Sequence, residues 1–457
     1  MRGATATSAL FLPCAAGTEA LLAAECARLL GPNAQIEPTR GGVVAHGDAL
    51  AAMRLNLHSR LAQRVLWPLV HGPYGDENDL YELARTVRWI DWITPAQTFR
   101  IDTSAQRSPL TSLNFATLRV KDAVCDVLRD ATGERPSIDT RWPDLPLTLF
   151  LSPTHATLYA DTSGEALFKR GWRDAKGGRE DVKGEAPLKE TLAAAMLAAA
   201  GWQGRAEDGA LLDPCCGAGT IAIEAAQIAC GIAPGLQRHF AFEKMLPFRT
   251  HQHAWQRLKT EARTMQHAPA VPIFAGDVSF RMTDFATRNA VRAGVQAAIE
   301  FKTADALQRL PPAERGVVVM NPPYGERIDP RGSRGGERID PRGSRGGERI
   351  DPRGSRGGER IDPRGGERND PRSARANERA GSRQGFEGGG SPAEFFSQLA
   401  AHWKRNYAGW TSWVLSPDMK LPQALRLKES QRVPMWNGPI ECRLFRFDMV
   451  AGSARQT

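Results

Sequence analysis

The sequence predicts an α/β protein in which a Rossmann-like, doubly wound, mainly parallel sheet follows an α+β region. Three observations carry this reading. Strand-like and helical runs alternate from Ala210 onward, and runs ending in an acidic residue recur at 210–213, 273–277 and 301–305, the signature of parallel strands joined by helices. The first of these runs enters a glycine-rich turn, Asp213-Pro214-Cys215-Cys216-Gly217-Ala218-Gly219-Thr220. The fourth strand, Val317-Val318-Val319-Met320, is a buried apolar run that two prolines stop at Asn321-Pro322-Pro323-Tyr324.

The elements follow in order. Residues 8–12 read as a strand. Residues 17–30 read as a helix, because Leu21, Leu22, Cys26, Leu29 and Leu30 recur at helical spacing before Gly31-Pro32 ends the run. Residues 41–45 are strand-like, Asp48 caps a helix holding Leu50, Met53, Leu57 and Leu61, and 64–70 is another strand. The pattern then repeats, with a helix over 79–89, a strand over 98–104, a helix over 117–129, and strands over 147–152 and 156–161, which gives an α+β region of antiparallel character. Basic and polar residues gather in its loops: Arg100, Arg107, Asn114, Arg119, Lys121 and Arg141. Each is compatible with a solvated surface, and the helix bearing Arg119 and Lys121 is the first candidate for a phosphate-facing patch.

A turn-rich connector from Phe168 to Gly184 leads into Pro187-Leu188-Lys189-Glu190-Thr191 and an alanine-rich helix. The strand at 210–212, the glycine turn and a helix from Ile221 to Ala229 come next. A helical insertion over about 228–270 must separate that helix from the strand ending at Asp277. After Asn321 the chain repeats Glu-Arg-Ile-Asp-Pro-Arg-Gly-Ser-Arg-Gly-Gly from Glu326 to about Gly366, with degenerate copies to about Arg383. A proline every eleven residues forbids a continuous helix, and one apolar residue per unit builds no core, so disorder is expected. A tolerated loop expansion and an auxiliary RNA-contacting tether are both open. A helix over 395–407 and strands over 411–415 and 442–449 complete the sheet.

Composition narrows the classes. The formal charge is +9, and sixteen Arg against eleven Asp and Glu between Glu326 and Gln384 account for about five of those charges, so the rest of the chain is only mildly basic. Seven cysteines with no Cys-x-x-Cys spacing point to reduced thiols and a cytoplasmic protein. His251 and His253 have no ligand cluster beside them, so no metal is expected. The apolar stretch Ala9-Leu10-Phe11-Leu12 is too short for a secretion signal, and 192–200 is far below membrane-spanning length.

Gly217-Ala218-Gly219-Thr220-Ile221-Ala222 also satisfies a dinucleotide-binding pattern. A nicotinamide site wants an acidic strand end about twenty residues on, and 235–239 has neither strand nor acid. Asp213 before the glycines and acids at Asp277 and Asp305 instead fit a sheet whose strand ends hold S-adenosylmethionine. Glycines admit the methionine part, Asp213 receives its ammonium, Asp277 the ribose hydroxyls and Asp305 the adenine amino group. Glu243 rivals Asp277 for the ribose, and a helix cap is the plain alternative for any lone strand-end Asp. The Asn321 side chain and the Pro322 carbonyl can accept hydrogen bonds from an exocyclic amino group while Tyr324 stacks on the base.

Taken together with Lys169-Arg170-Gly171-Trp172-Arg173-Asp174, Ala186 to Ala193, Ala233-Pro234-Gly235-Leu236, Asn321 to Arg327, Ser416-Pro417-Asp418 and Asn437-Gly438-Pro439, these residues resemble the bacterial 23S ribosomal RNA guanine-N2 methyltransferases that carry an amino-terminal THUMP RNA-binding domain. The resemblance covers nearly the whole chain outside the repeats. It implies a ferredoxin-like α+β subdomain at 1–70, a THUMP-type domain at 71–163, a connector at 164–186, a class I methyltransferase domain at 187–327 and 391–451, and the repeat insert at 328–390. It further implies catalytic roles for Asn321, Pro322 and Tyr324, and S-adenosylmethionine contacts from Asp213, Pro214, Cys216, Gly217, Gly219, Thr220, Asp277 and Asp305. RNA contacts are expected from Arg100, Arg119, Lys121, Arg170 and Arg173. Some family members carry a second, 7-methylguanine-forming domain, which a chain ending at Thr457 is expected to lack. A transfer-RNA guanine or adenine-N6 enzyme, and a non-catalytic ribosome-assembly factor, are the alternatives.

Overall fold

The computed structural model describes residues 7–173, 188–322 and 392–450. Tyr324, the repeat insert 328–390 and connector residues 174–186 lie outside the described residues, and so do the expectations placed on them.

The amino-terminal strands are β1 (Ser8–Pro13), β2 (Ile36–Thr39), β3 (Gly42–Gly47), β4 (Leu66–Pro73), β5 (Thr98–Ala105), β6 (Ser137–Ile138), β7 (Leu145–Leu151) and β8 (His155–Asp161). They form one eight-stranded sheet in the order β2-β3-β1-β4-β8-β7-β5-β6. Its helices are α1 (Glu19–Leu30), α2 (Ala49–His58), α3 (Glu77–Arg85) and α4 (Leu113–Thr132). Asp48 caps α2 by accepting from the Ala51 amide at 2.9 Å, as its sequence position predicts. Strand β4 spans residue 70, pairs antiparallel with β8, and meets β1 at the single pair Phe11↔Leu66.

Several boundaries differ from expectation. The helix expected over 79–89 ends at Arg85, and Trp89–Asp91 is a separate 3-10 turn. Helix α4 starts four residues before the expected 117, where the Ser112 hydroxyl accepts from the Phe115 amide. Strand β2 was invisible in the sequence because Ile36-Glu37-Pro38-Thr39 is mostly exposed and shows no alternation.

The carboxyl-terminal half contains α5 (Glu190–Ala199), β9 (Ala210–Asp213), α6 (Thr220–Ala229), α7 (Gln252–Thr264), β10 (Ile273–Asp277), α8 (Phe280–Arg292), β11 (Ile299–Thr303), β12 (Gly316–Met320), α9 (Pro392–Asn406), β13 (Thr411–Ser416), α10 (Leu421–Leu425), β14 (Gln431–Asn437) and β15 (Ile440–Asp448). Its seven strands run β11-β10-β9-β12-β13-β15-β14, the first five mutually parallel and β15 antiparallel to both its neighbours, β13 and β14. Side chains alternate across this sheet. Leu211 and Val319 join the core shared with α5, α6 and α8, whereas Leu212, Val318 and Met320 pack with Trp403, Tyr407 and Phe445 on the opposite face.

The segment between α6 and β10 joins the two halves. The Gly235 amide donates to the Leu57 carbonyl and the Phe242 amide to the Thr162 carbonyl. Lys244 pairs with Asp144 at 2.8 Å. Phe242 meets Trp255 edge-on at 5.0 Å, and Phe248 meets Trp67 at 5.8 Å.

Candidate active site

Register places three strand ends side by side. Ala275 of β10 stands opposite Asp213 of β9, so Asp277 lies two residues beyond it. On the other flank Val318 of β12 stands opposite Leu212, which carries Asn321 to the same level. The carboxyl edge of a parallel sheet is where open α/β folds bind ligands.

The turn between β9 and α6 is held by its neighbours. The Cys216 amide donates to the Gly276 carbonyl at 2.7 Å and the Gly217 amide to Asp277 Oδ2 at 3.0 Å. The Gly219 amide donates to the Cys216 carbonyl at 2.7 Å, and Asn289 Nδ2 donates to the Ala218 carbonyl at 2.9 Å. The two glycines serve different ends. Both have left-handed φ, +49° at Gly217 and +81° at Gly219. A Cβ on Gly219 would stand 3.0 Å from Ala286 Cβ, whereas one on Gly217 would meet no atom within 4 Å among the described residues. Gly219 therefore seats α6 against α8, and Gly217 borders open space.

Asp213 is only 1% exposed, and its Oδ1 accepts from the Cys215 amide at 3.3 Å. Burial pushes its carboxyl up to about 8, Asp277 adds to the rise, and Arg309 opposes it. The ammonium of S-adenosylmethionine would add a cation beside this carboxyl. Together with the open space at Gly217, this makes the donor set fit that cofactor.

Asp277 does more than the sequence implied. Its Oδ2 anchors the glycine turn and its Oδ1 accepts from the Ser279 amide at 3.0 Å. Glu243, the rival acid, accepts from the Phe240 amide at 2.9 Å in a 3-10 turn outside the sheet. Asp305 lies two residues past β11, because that strand runs over 299–303 instead of 301–305. Its Oδ1 accepts from the Leu307 amide at 2.9 Å, and it lines a cavity of about 630 Å³ with Phe274, Lys302 and Arg309. Of the expected cofactor residues only Asp305 borders that cavity, which spreads over the sheet face toward Glu300.

Pro214 and Cys216 are buried in the turn. Burial, reinforced by Asp213 and Asp277, holds the Cys216 thiol well above its ordinary range, which suits packing and not nucleophilic attack. Thr220 Oγ1 accepts from Arg173 Nη2 at 2.7 Å. Asn321 directly follows β12 and is half-buried, and Pro322 is buried.

Arg309 escaped the sequence analysis. Its Nη1 donates to the Ala275 carbonyl at 3.1 Å, over Gly276, where a Cβ would come within 2.4 Å of it. Its own carbonyl accepts from Tyr407 Oη at 2.7 Å and His402 Nε2 at 2.8 Å. Arg309-Leu310-Pro311-Pro312 reads as a loop without periodicity, so no sequence signal marked it.

The basic residues divide. Arg119 lies over the Tyr81 ring at 4.4 Å and donates to Asn78 Oδ1. Lys121 pairs with Asp122, and Arg100 with Asp102 and the Thr140 carbonyl. All three retain some exposure. Arg170 is a correction. Its side chain is 1% exposed, pairs with Glu224 at 3.0 Å and donates to the Leu167 and Arg60 carbonyls, which leaves no face for RNA. Arg173 pairs with Glu190 at 2.6 Å beside its bond to Thr220, and like Arg100 it retains some exposure. Among the described residues no three His, Cys, Asp or Glu side chains gather as a metal site. Also among the described residues, no helix is long and apolar enough to cross a membrane.

Comparison with known proteins agrees with this architecture. Three family models match: a RlmL ferredoxin-like domain over 9–66, a THUMP domain over 74–161, and an RMKL-like methyltransferase domain over 177–335. The proteins named ribosomal RNA large subunit methyltransferase K/L from Shewanella loihica and Psychromonas ingrahamii are 32% and 33% identical to it over 429 and 442 residues. The matches cover 93% and 95% of this chain, which spans about half the length of these relatives, 50% and 49%. The crystal structure of SMU.472 complexed with SAH has the same fold, with a TM-score of 0.75 and 22% identity over 98% of this chain and 99% of that one.

Proposed function

This chain carries a RlmL ferredoxin-like domain, a THUMP domain and an RMKL-like methyltransferase domain, and on that premise we propose that it transfers a methyl group from S-adenosylmethionine to the exocyclic N2 of a guanine in 23S ribosomal RNA, in the cytoplasm. The observation that carries the reading is the alignment of Asn321 with Asp213 and Asp277 at one sheet edge. The K/L-named relatives, which act on large-subunit ribosomal RNA by name, support the substrate class.

S-adenosylmethionine supplies an electrophilic methyl group on a sulfonium. The guanine N2 lone pair is delocalised into the ring, which makes the amine a poor nucleophile. The Asn321 side-chain oxygen and the Pro322 carbonyl accept its two N–H groups and favour a more tetrahedral nitrogen aimed along the strand edge. The bound sulfonium would give up its methyl group to this nitrogen, and the surplus proton would leave the methylated nitrogen for solvent. The two acceptors stabilise the positive charge that grows on nitrogen, and alignment supplies most of the rate. Tyr324 stacks on a base taken out of its helix. Arg100, Arg119 and Lys121 hold phosphates of the same RNA on the THUMP half.

Methyl transfer to protein-free 23S RNA and to assembled subunits, followed by nucleoside mass spectrometry, tests this. N2-methylguanine in wild type and none with Asn321→Ala, at unchanged cofactor affinity, is the expected result. N6-methyladenine, or methylation of transfer RNA alone, would reassign the substrate.

A further inference from the structure

A cavity of about 290 Å³ opens where the two halves of the chain meet. Its walls are Cys14 after β1, Gln63 after α2, Lys189 and Thr191 at the start of α5, and Trp436 and Asn437 at the turn between β14 and β15. None of these residues serves the site described above, although Lys189-Glu190-Thr191 and Asn437-Gly438 stand out in the sequence. The register Ser416↔Arg443 brings the start of β15, and with it this turn, to the carboxyl edge of the parallel sheet. Met320 pairs with Val414 of β13, so β15 lies two strand spacings, roughly 10 Å, to the side of the strand that presents Asn321.

The cavity is built before any ligand arrives. Gly17 has φ +85° and lies so close to β14 that a Cβ would come within 2.2 Å of the Pro434 carbonyl oxygen and 3.3 Å of the Trp436 ring. The Arg443 guanidinium lies 5.8 Å from the Trp436 ring centroid. Lys189 Nζ stands 5.1 Å from the centroid of Phe168, and among the described residues no carboxylate forms an ion pair with it. Burial pushes the Cys14 thiol up to about 11, which makes it a wall and not a nucleophile. One cation, two side-chain amides, a hydroxyl and an indole around so small a volume match the phosphate, the base edge and the base face of a single nucleotide.

We propose that this cavity takes one nucleotide of the substrate RNA next to the target guanine, with its base against Trp436, its phosphate at Lys189, and its base edge bonded by Gln63 and Asn437. The proposal rests on RNA being the substrate of the reaction above. It gives the enzyme a contact that reads the neighbourhood of the target from the methyltransferase side, apart from the THUMP surface.

Filter binding of a protein-free 23S ribosomal RNA transcript to the full chain, across a salt series, tests it. Trp436→Ala is expected to weaken binding about tenfold, the loss of one base stack, and Trp436→Phe to keep most of it. Lys189→Gln is expected to reduce the slope of log K against log salt by about 0.7 to 1, the release of one counterion contact. Calorimetric affinity for S-adenosylmethionine stays at the wild-type value in all three. Unchanged RNA affinity and salt slope would overturn the proposal. So would weakened cofactor binding with RNA binding intact, which would make the cavity part of the cofactor site. If circular dichroism shows that Trp436→Ala does not fold, Lys189→Gln and Trp436→Phe decide the matter. Wild type that binds the transcript through these residues yet transfers no methyl group would sink the proposed reaction and leave the cavity assignment standing.

Discussion

Asp213 is the residue whose environment has the clearest measurable consequence. Its folded-state value of about 8 lies above the ordinary 3.8, so between those values the folded protein holds a proton that the unfolded chain has lost. Stability without cofactor therefore falls as pH rises through this window. His58 acts in the opposite sense. Burial lowers it to about 4, so its cost appears only as pH drops below its ordinary value of 6.5. Thermal melting of the cofactor-free protein between pH 7 and 8.5 is expected to show a decline that Asp213→Asn removes. The same substitution should weaken S-adenosylmethionine binding by about 1.5–3 kcal/mol in calorimetry, the range for a hydrogen bond to a charged group. The glycines separate in a similar way. Gly219→Ala meets Ala286 and is expected to cost at least about 1–2 kcal/mol in denaturant unfolding. Gly217→Ala is expected to lose more in cofactor affinity than in stability, because among the described residues no atom stands within 4 Å of the added Cβ. The positions of Asp213, Gly217 and Asn321 were legible because chain order and strand periodicity place them. The second task of Asp277, as anchor of the glycine turn, was not, because it depends on a contact across 60 residues of sequence.

At the scale of elements, the start of α6 is where the connector, α5 and the glycine turn are bolted together. Arg173 joins Glu190 of α5 to Thr220 of α6, while Arg170 and Arg60 both engage Glu224 on α6. Arg170→Met strands Glu224 without its closest partner and is expected to destabilise the fold by about 3–5 kcal/mol. Denaturant unfolding reads that loss, and an unchanged salt slope of RNA binding would separate it from a phosphate contact. Arg170 read as RNA-facing in the sequence because a basic, turn-rich segment resembles a solvated loop, and nothing local reveals a carboxylate 54 residues away. Strand β14 was missed for a related reason: Gln431-Arg432-Val433-Pro434-Met435-Trp436-Asn437 contains a proline and shows no clean alternation. Only pairing with β15 makes it a strand. The strands with continuous apolar runs, β9, β10 and β12, needed no such context.

For the molecule as a whole, the stretch between α6 and β10 decides how the amino-terminal half is presented to the candidate site. In the sequence it is an insertion of unassigned purpose. In the structure Phe242, Phe248 and Trp255 lock it to Trp67 of β4. Phe242→Ala is expected to cost about 3–5 kcal/mol. Methyl transfer to 23S RNA should fall further than cofactor affinity, as judged by activity and calorimetry on the same preparation. Tertiary partners this remote leave no periodic trace, which is why the two halves were legible one at a time and their junction was not.

Strand β4 sets a limit on how such a protein can be taken apart. It belongs to the first sheet's seam, touching β1 through Phe11 and Leu66 while lying along β8 over most of its length. A chimera or truncation with its breakpoint at residue 70 would divide one strand between two polypeptides and leave a raw sheet edge on each. Breakpoints in the loop ahead of Leu66 keep β4 whole beside β8, along which most of its length is paired.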